Sequence, residues 1–277
     1  MQSQIFFRYV IKTVMCLITL SWQPNTKTPL IIAANRDEFY ARPALPLHHW
    51  PDQAILAGKD VQAGGTWLGI SQGLDHTAGA TGVRIAALTN YRDTAHHRAD
   101  APSRGHITTS FLQGSMSAAA YLDTLLTTAA SYNPFNLILF DGKELMGFES
   151  RHARAFVLPP GISAVSNADF NTPWPKLVHL RDDFEKTLEV KRDDKQLEKE
   201  LFNLLAHDLL APDAALPQTG IPLSRERALS AAFIRTPDYG TRACSVLSVG
   251  DHAACFTERS FDANGLIGEA RERLSGF

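Results

Sequence analysis

Met15-Cys16-Leu17-Ile18-Thr19-Leu20-Ser21-Trp22, the link Gln23-Pro24-Asn25-Thr26-Lys27-Thr28-Pro29, and Leu30-Ile31-Ile32-Ala33-Ala34-Asn35-Arg36-Asp37-Glu38 together decide how this chain begins to fold. Two short apolar runs on either side of a turn-rich link read as an antiparallel hairpin. If Trp22 faces Leu30, counting along both strands places Cys16 opposite Arg36. A thiol at a strand tip then lies beside a guanidinium and the carboxylate of Asp37.

Beyond this hairpin the chain alternates strand pairs with helical blocks. Residues 40–51 are polar and proline-rich and read as a turn. Gly64-Gly65-Thr66-Trp67-Leu68-Gly69-Ile70 reads as a strand entered through a glycine turn, with residues 83–90 as its partner. The link 71–82 is rich in glycine and small residues. Ser103 is a candidate N-cap for a helix over 104–112, and Ser117 to Ala130 carries one apolar helical face. Residues 135–140 and 144–149 flank Asp141-Gly142, a two-residue hairpin signal. Further strands fit 155–158 and 163–166, helices fit 173–189, 193–210 and 224–233, and strands fit 243–249 and 253–258. Strand pairs with segregated helices indicate an α+β fold with mostly antiparallel sheets rather than a βαβ repeat.

Composition narrows the function classes. The chain has 277 residues, 44% hydrophobic and 20% charged, which suits a sizeable core and argues against global disorder. A net charge of −2 gives no overall basic character and speaks against a nucleic-acid partner. Three cysteines without C-x-x-C spacing do not form a disulfide framework, so a reducing, cytoplasmic setting is expected, with Cys244 and Cys255 as buried strand residues. No phosphate-binding glycine motif, H-E-x-x-H or Cys/His quartet occurs. The pairs His48-His49 and His96-His97 point to opposite faces of an extended chain and make poor metal sites. Trp67 and Trp174 read as core.

Residues 1–15 stand apart. They are apolar but broken by Arg8 and Lys12, lack the form of a secretory signal, and are too interrupted for a spanning helix of ~20 apolar residues, so no stable membrane insertion is expected. No acid precedes Asp37, a composition shared with transit peptides. Either translation starts at Met15, which the initiator-like pair Met15-Cys16 favours, or residues 1–15 are a leader or propeptide removed ahead of Cys16. Residues 16–277 are then a single domain.

The run Ala34-Asn35-Arg36-Asp37-Glu38 resembles the signature of the NRDE family, also called the transport and Golgi organization protein 2 family. Further segments resemble that family in the same order: Gly64 to Gly69, Ala87-Leu88-Thr89-Asn90-Tyr91, Phe135-Asn136-Leu137, Ser166-Asn167 with Trp174-Pro175-Lys176, and Tyr239-Gly240-Thr241-Arg242. The extension before Met15 departs from the family pattern, and Leu74 to Gly82 looks like a loop insertion.

The family in turn resembles the N-terminal nucleophile hydrolases of the penicillin V acylase and bile salt hydrolase branch. That resemblance implies a four-layer αββα sandwich of two mostly antiparallel sheets. It also implies a first-residue Cys whose side chain attacks an amide carbonyl while its own α-amine serves as base. A free α-amine has a pKa of ~8, so part of it is unprotonated near neutral pH, and it needs no separate histidine.

By the same resemblance, Cys16 would be nucleophile and base. Arg36 and Asp37 would flank it, although the acylases space these two as Arg-x-x-Asp. Asn167 would donate into an oxyanion hole beside a backbone N–H of Asn90 or Tyr91, and Arg242 would be a distal arginine. An adjacent Arg would favour thiolate. Each has a plainer alternative: a packed cysteine, a structural ion pair, an asparagine capping a turn.

Two functions follow. One is hydrolysis of a linear C–N amide in a small molecule, with no cofactor required. The other is binding and trafficking of haem or another amphipathic ligand in the same cleft without chemistry. A scaffold with a vestigial site is a third reading, since fold does not fix function.

Overall fold

A computed structural model describes residues 15–51, 53–73 and 82–276. The leader reading of residues 1–15 therefore falls, except for Met15, outside the described residues, as does the insertion reading of Leu74 to Gly82 except for Gly82.

Strands β1 (Met15–Trp22) and β2 (Leu30–Phe39) pair antiparallel with Trp22 opposite Leu30 and Cys16 opposite Arg36, the register expected from the sequence. Every β1 residue is buried. Side chains alternate between two faces along a strand, and here both faces are covered, which pins the register. Ile18, Leu20 and Trp22 enter one core while Leu17 enters another.

Five more strands follow in sequence: β3 (Ala44–His49), β4 (Ile55–Asp60), β5 (Leu68–Gln72), β6 (Val83–Asn90) and β7 (Phe135–Phe140). They continue through β8 (Leu145–Glu149) and β9 (Arg154–Val157) into a seven-stranded sheet in chain order. The other sheet has six strands in the order β10 (Gly161–Val165), β1, β2, β11 (Tyr239–Val249), β12 (Ala253–Asp262), β13 (Gly265–Ser275). All pairings are antiparallel.

The sheets share one apolar core, with Ile32, Leu247 and Phe256 from one and Ile70, Ile85 and Phe140 from the other. Helices α1 (Gly105–Gln113) and α2 (Ala118–Leu126) cover the outer face of the seven-stranded sheet through Phe111, Leu122 and Leu137. Helices α3 (Pro175–Glu189) and α4 (Asp194–Leu205) cover the outer face of the six-stranded sheet through Phe184, Phe202 and Ala33. A short α5 (Leu223–Ala228) lies near the end of β2, where Leu229 packs with Met15 and Tyr239. The layers are helix, sheet, sheet, helix: an α+β sandwich of the αββα kind.

Several local readings are corrected. Residues 40–51 are not only a turn, since β3 runs through them. Pro46 sits in β3 because β3 is a sheet edge, where a missing N–H costs no ladder bond. Strands β4 and β13 are additions; β13 carries alternating charges on an exposed edge and lacks the apolar run that marks a buried strand. Asp141-Gly142 is part of a four-residue loop, where Asp141 Oδ1 accepts from the N–H groups of Lys143 and Glu144. Ser103 does not cap α1, whose N-cap is Arg104. Ser117 does cap α2, accepting from Ala120 N–H. Cys244 is buried as expected, whereas Cys255 is only half-buried.

One glycine pair fixes the start of α1. A Cβ on Gly65 would lie 2.4 Å from the Gly105 carbonyl carbon, so the two backbones touch where the chain enters β5. Thr108 Oγ1 closes the contact by donating to the Thr66 carbonyl. Gly65→Ala should force these backbones apart and cost about 3 kcal/mol, read as a lowered urea midpoint with an unchanged slope.

Candidate functional site

The end of β1 opens on a cavity of about 530 Å³ between the two sheets. Cys16, Arg36, Asn90 and Arg242 all line it, so four of the residues singled out in the sequence are brought together. Asp37 and Asn167 are buried and do not line it. Strand alternation explains the first: Arg36 and Glu38 share the inter-sheet face with Cys16, while Asp37 shares the opposite face with Asn35 and Met15.

Arg36 belongs to a four-charge cluster. Its Nη2 is 3.4 Å from Glu38 and 3.6 Å from Asp60; Arg42 Nε is 2.7 Å from Asp60 and 3.5 Å from Glu38. Arg242 is held by backbone, donating to the carbonyls of Phe261, Phe39, Tyr40 and Arg42. It braces the exit of β2.

Asn167 stands behind the cavity wall. Its Nδ2 donates to the Asn90 carbonyl at 2.8 Å, and the Ser166 hydroxyl lies between Asn167 Oδ1 and the Cys16 carbonyl. The Tyr91 N–H is already committed to the Pro134 carbonyl, so of the two backbone donors named from sequence Tyr91 is ruled out.

Cys16 is 2% exposed, and its thiol is pushed up to about 12. Burial is the main cause and Asp37 the next; Arg36 pulls the other way and loses. The expectation that an adjacent Arg favours thiolate is therefore corrected for the chain with Met15 attached, because desolvation of a buried anion outweighs one neighbouring cation already shared with two carboxylates.

Behind Cys16 lies a polar chamber that sequence reading did not assemble. Met15 N–H donates to the Tyr239 hydroxyl at 3.0 Å, and Thr241 Oγ1 donates to Asp37 Oδ1 at 2.7 Å. Asp37 Oδ2 and Lys176 Nζ are both buried and have no hydrogen-bond partner among the described residues. Burial raises Asp37 to about 6, against the pull of Lys176, and lowers Lys176 to about 8, against the pull of Asp37. Arg92 closes the chamber, 2.6 Å from Glu226 and stacked over the Trp174 ring. Lys176 is read from sequence only as part of a motif and Trp174 as part of that motif and as core; their place at the start of α3, under the end of β2, is what the sequence could not display.

Glu258 on the cavity wall accepts from Leu47 N–H at 2.8 Å, and burial raises it from 4.5 to about 7. A raised folded pKa means that stability is fully present below about 4.5 and is lost as pH rises through about 7. Glu258→Gln keeps the acceptor for Leu47 and cannot ionise. Its advantage over the parent should grow between pH 4.5 and 8 by at most about 3 kcal/mol, measured by urea unfolding at both values.

Among the described residues no group of three or more His, Cys, Asp or Glu is placed to hold a metal ion. No helix among them is long and apolar enough to cross a membrane.

The family model "Transport and Golgi organisation 2" matches residues 15–263. The chain is 36% identical to a cattle (Bos taurus) protein described as "Transport and Golgi organization protein 2 homolog", over 89% of this chain and 93% of the relative. It is 34% identical to the human (Homo sapiens) homolog over the same shares, and 29% identical to the Drosophila melanogaster protein over 62% of this chain and 64% of that one. With a family match across most of its length and relatives of this similarity, the chain belongs to the Transport and Golgi organisation 2 family.

Proposed function

We propose that this protein is an N-terminal-cysteine hydrolase of linear amides, active once Cys16 is its first residue. The observation that carries the reading is the pairing of Cys16, on a cavity floor opposite Arg36, with a buried carboxylate oxygen on Asp37, across from residue 15, that has no hydrogen-bond partner among the described residues. Removing Met15 converts the Cys16 peptide nitrogen into an amine, and the register that sets Asp37 opposite residue 15 supports Asp37 as its acceptor.

The neutral amine takes the Sγ proton, and Sγ adds to the amide carbonyl. The tetrahedral oxyanion needs donors; Asn167 Nδ2 gives one N–H to the Asn90 carbonyl and has a second, but the side chain lies behind the cavity wall and must turn toward Cys16 to serve. Collapse breaks the C–N bond, with the proton passing from the ammonium to the leaving amine. Water then attacks the thioester, giving the acid and restoring the thiol. The ordinary α-amine range of ~8 suits this shuttle near neutral pH.

A second reading has its own support. With Met15 in place the nitrogen is acylated and the thiol is held protonated, so that form is suited to holding a small molecule without cleaving it. Such a carrier would take an amphipathic ligand. Haem as that ligand would need an axial donor, and since burial disfavours a Cys16 thiolate, His97 on the cavity lining is the residue to supply it. A cytoplasmic setting agrees with three unpaired cysteines.

The test begins with the intact mass of the purified protein. Chains starting at Cys16 and chains retaining Met15 are assayed against a panel of N-acyl amides. Cleavage by the first and not the second is expected. Equal activity from both would remove the amine from the mechanism, and no cleavage by a verified Cys16-first chain would leave the carrier reading in its place.

A further inference from the structure

The cavity lining is cationic although the chain as a whole is not. Six basic side chains, Arg36, Arg42, Lys59, Arg98, Arg104 and Arg242, face four carboxylates there. Five of the six are occupied. Arg36 and Arg42 share Glu38 and Asp60, Lys59 lies over the Trp50 ring, Arg98 is held by the carbonyls of Ala130, Ser131 and Tyr132, and Arg242 by four carbonyls.

Arg104 differs. Its guanidinium makes one hydrogen bond, from Nη1 to the Pro134 carbonyl at 3.1 Å, and among the described residues no carboxylate lies within ion-pair distance of it. A guanidinium carries five N–H donors in a planar fork matched to a carboxylate. Burial lowers its pKa to about 10, and it lines the same cavity as Cys16. Ser103 and Gly105 beside it also line the cavity, and the first turn of α1 carries no acid to oppose an anion. The wall contributed by β3 and β13 is mainly apolar: Leu45 and Ile267 line it and are 47% and 61% exposed, and the one carboxylate on it, Glu269, is paired with Arg259 at 2.7 Å.

We propose that Arg104 anchors a carboxylate on the ligand, so that the site takes an N-acylated compound with an acidic head group at Arg104 and an apolar chain along Leu45 and Ile267. Cleavage of that compound rests on the hydrolase reading; its binding does not. Arg104 is thus a specificity residue and takes no part in bond breaking.

The full chain carrying Cys16→Ala is titrated by calorimetry with N-octanoylglycine and with its neutral counterpart N-octanoylglycinamide. The acid is expected to bind at least about tenfold tighter, a preference that Arg104→Gln abolishes and Arg104→Lys keeps in part. Circular dichroism verifies that each variant is folded, and the comparison of the two probes on unaltered Arg104 stands whether or not Arg104→Gln folds. Equal affinity for the two probes, a preference that survives Arg104→Gln, or no binding of either overturns the proposal. A Cys16-first chain is then offered N-octanoylglycine: carboxylate-dependent binding without turnover sinks the hydrolase and keeps the anchor, whereas turnover with no carboxylate preference does the reverse.

Discussion

Cys16→Ala, made in a chain whose first residue is position 16, should lower amide cleavage by at least ~10³-fold. The substitution removes the only atom able to form the thioester and leaves the α-amine, Asp37, Arg36 and the cavity walls in place. Ligand affinity should therefore change little, because Cys16 is 2% exposed and contributes a small patch to the lining. Single-turnover assays alongside equilibrium binding separate the two. A rate within tenfold of the parent would show that the thiol is a packing group. Cys16→Ser is the informative companion: it keeps an attacking oxygen of far lower nucleophilicity, so a small residual rate that rises with pH is expected.

The second large effect is on stability. Arg92 and Glu226 form a 2.6 Å ion pair with both side chains almost wholly buried. Arg92 also reaches Met15 Sδ at 2.8 Å and stacks over Trp174, so one cation ties β1, α3 and α5 together. Burying a charge is costly, and the cost falls due when its partner goes. Glu226→Ala should leave Arg92 in the chamber without its counter-ion and destabilise the fold by about 3–5 kcal/mol, read by urea or thermal unfolding. The Arg227–Asp213 pair nearby has the same 2.6 Å separation but is half exposed, and Arg227→Ala should shift the midpoint little. If the two variants unfolded alike, the chamber would not be as dry as its burial indicates. Loss of Glu226 should also impair catalysis, because its partner Arg92 stacks on Trp174 at the start of α3, the helix that carries Lys176 behind Cys16.

Parts of this were readable before any coordinates. The β1–β2 register followed from counting, because a strand has a side-chain period of two and both runs were apolar throughout. Arg36 opposite Cys16 came with it. The helices expected over 117–130, 173–189 and 193–210 are found, shorter at their ends, at 118–126, 175–189 and 194–205; apolar spacing marked the first and third, and the first has a serine cap. Strands β3 and β13 escaped because both are edges: proline, paired histidines and alternating charges suit a half-solvated strand and look like loop in a linear reading. The thiolate expectation failed for a different reason. Sequence places Arg36 next to Cys16 but says nothing of how much water either keeps, and burial decides that contest.

The amino-acid order alone determined the hairpin, the antiparallel α+β character, the family and the strand tip on which a nucleophile would sit. The hairpin and the strand and helix pattern depend on local periodicity, and the family on motifs in order; both are written along the chain. Only the tertiary structure decided that Lys176, Arg92 and Tyr239 gather behind Cys16, and that Arg104 is, among the described residues, the one cavity cation with a single carbonyl for company. Arg92 and Glu226 are 134 positions apart, and a contact across that span depends on which helix start lands on which strand end. That choice is made by the packing of whole layers, which no window of neighbouring residues encodes.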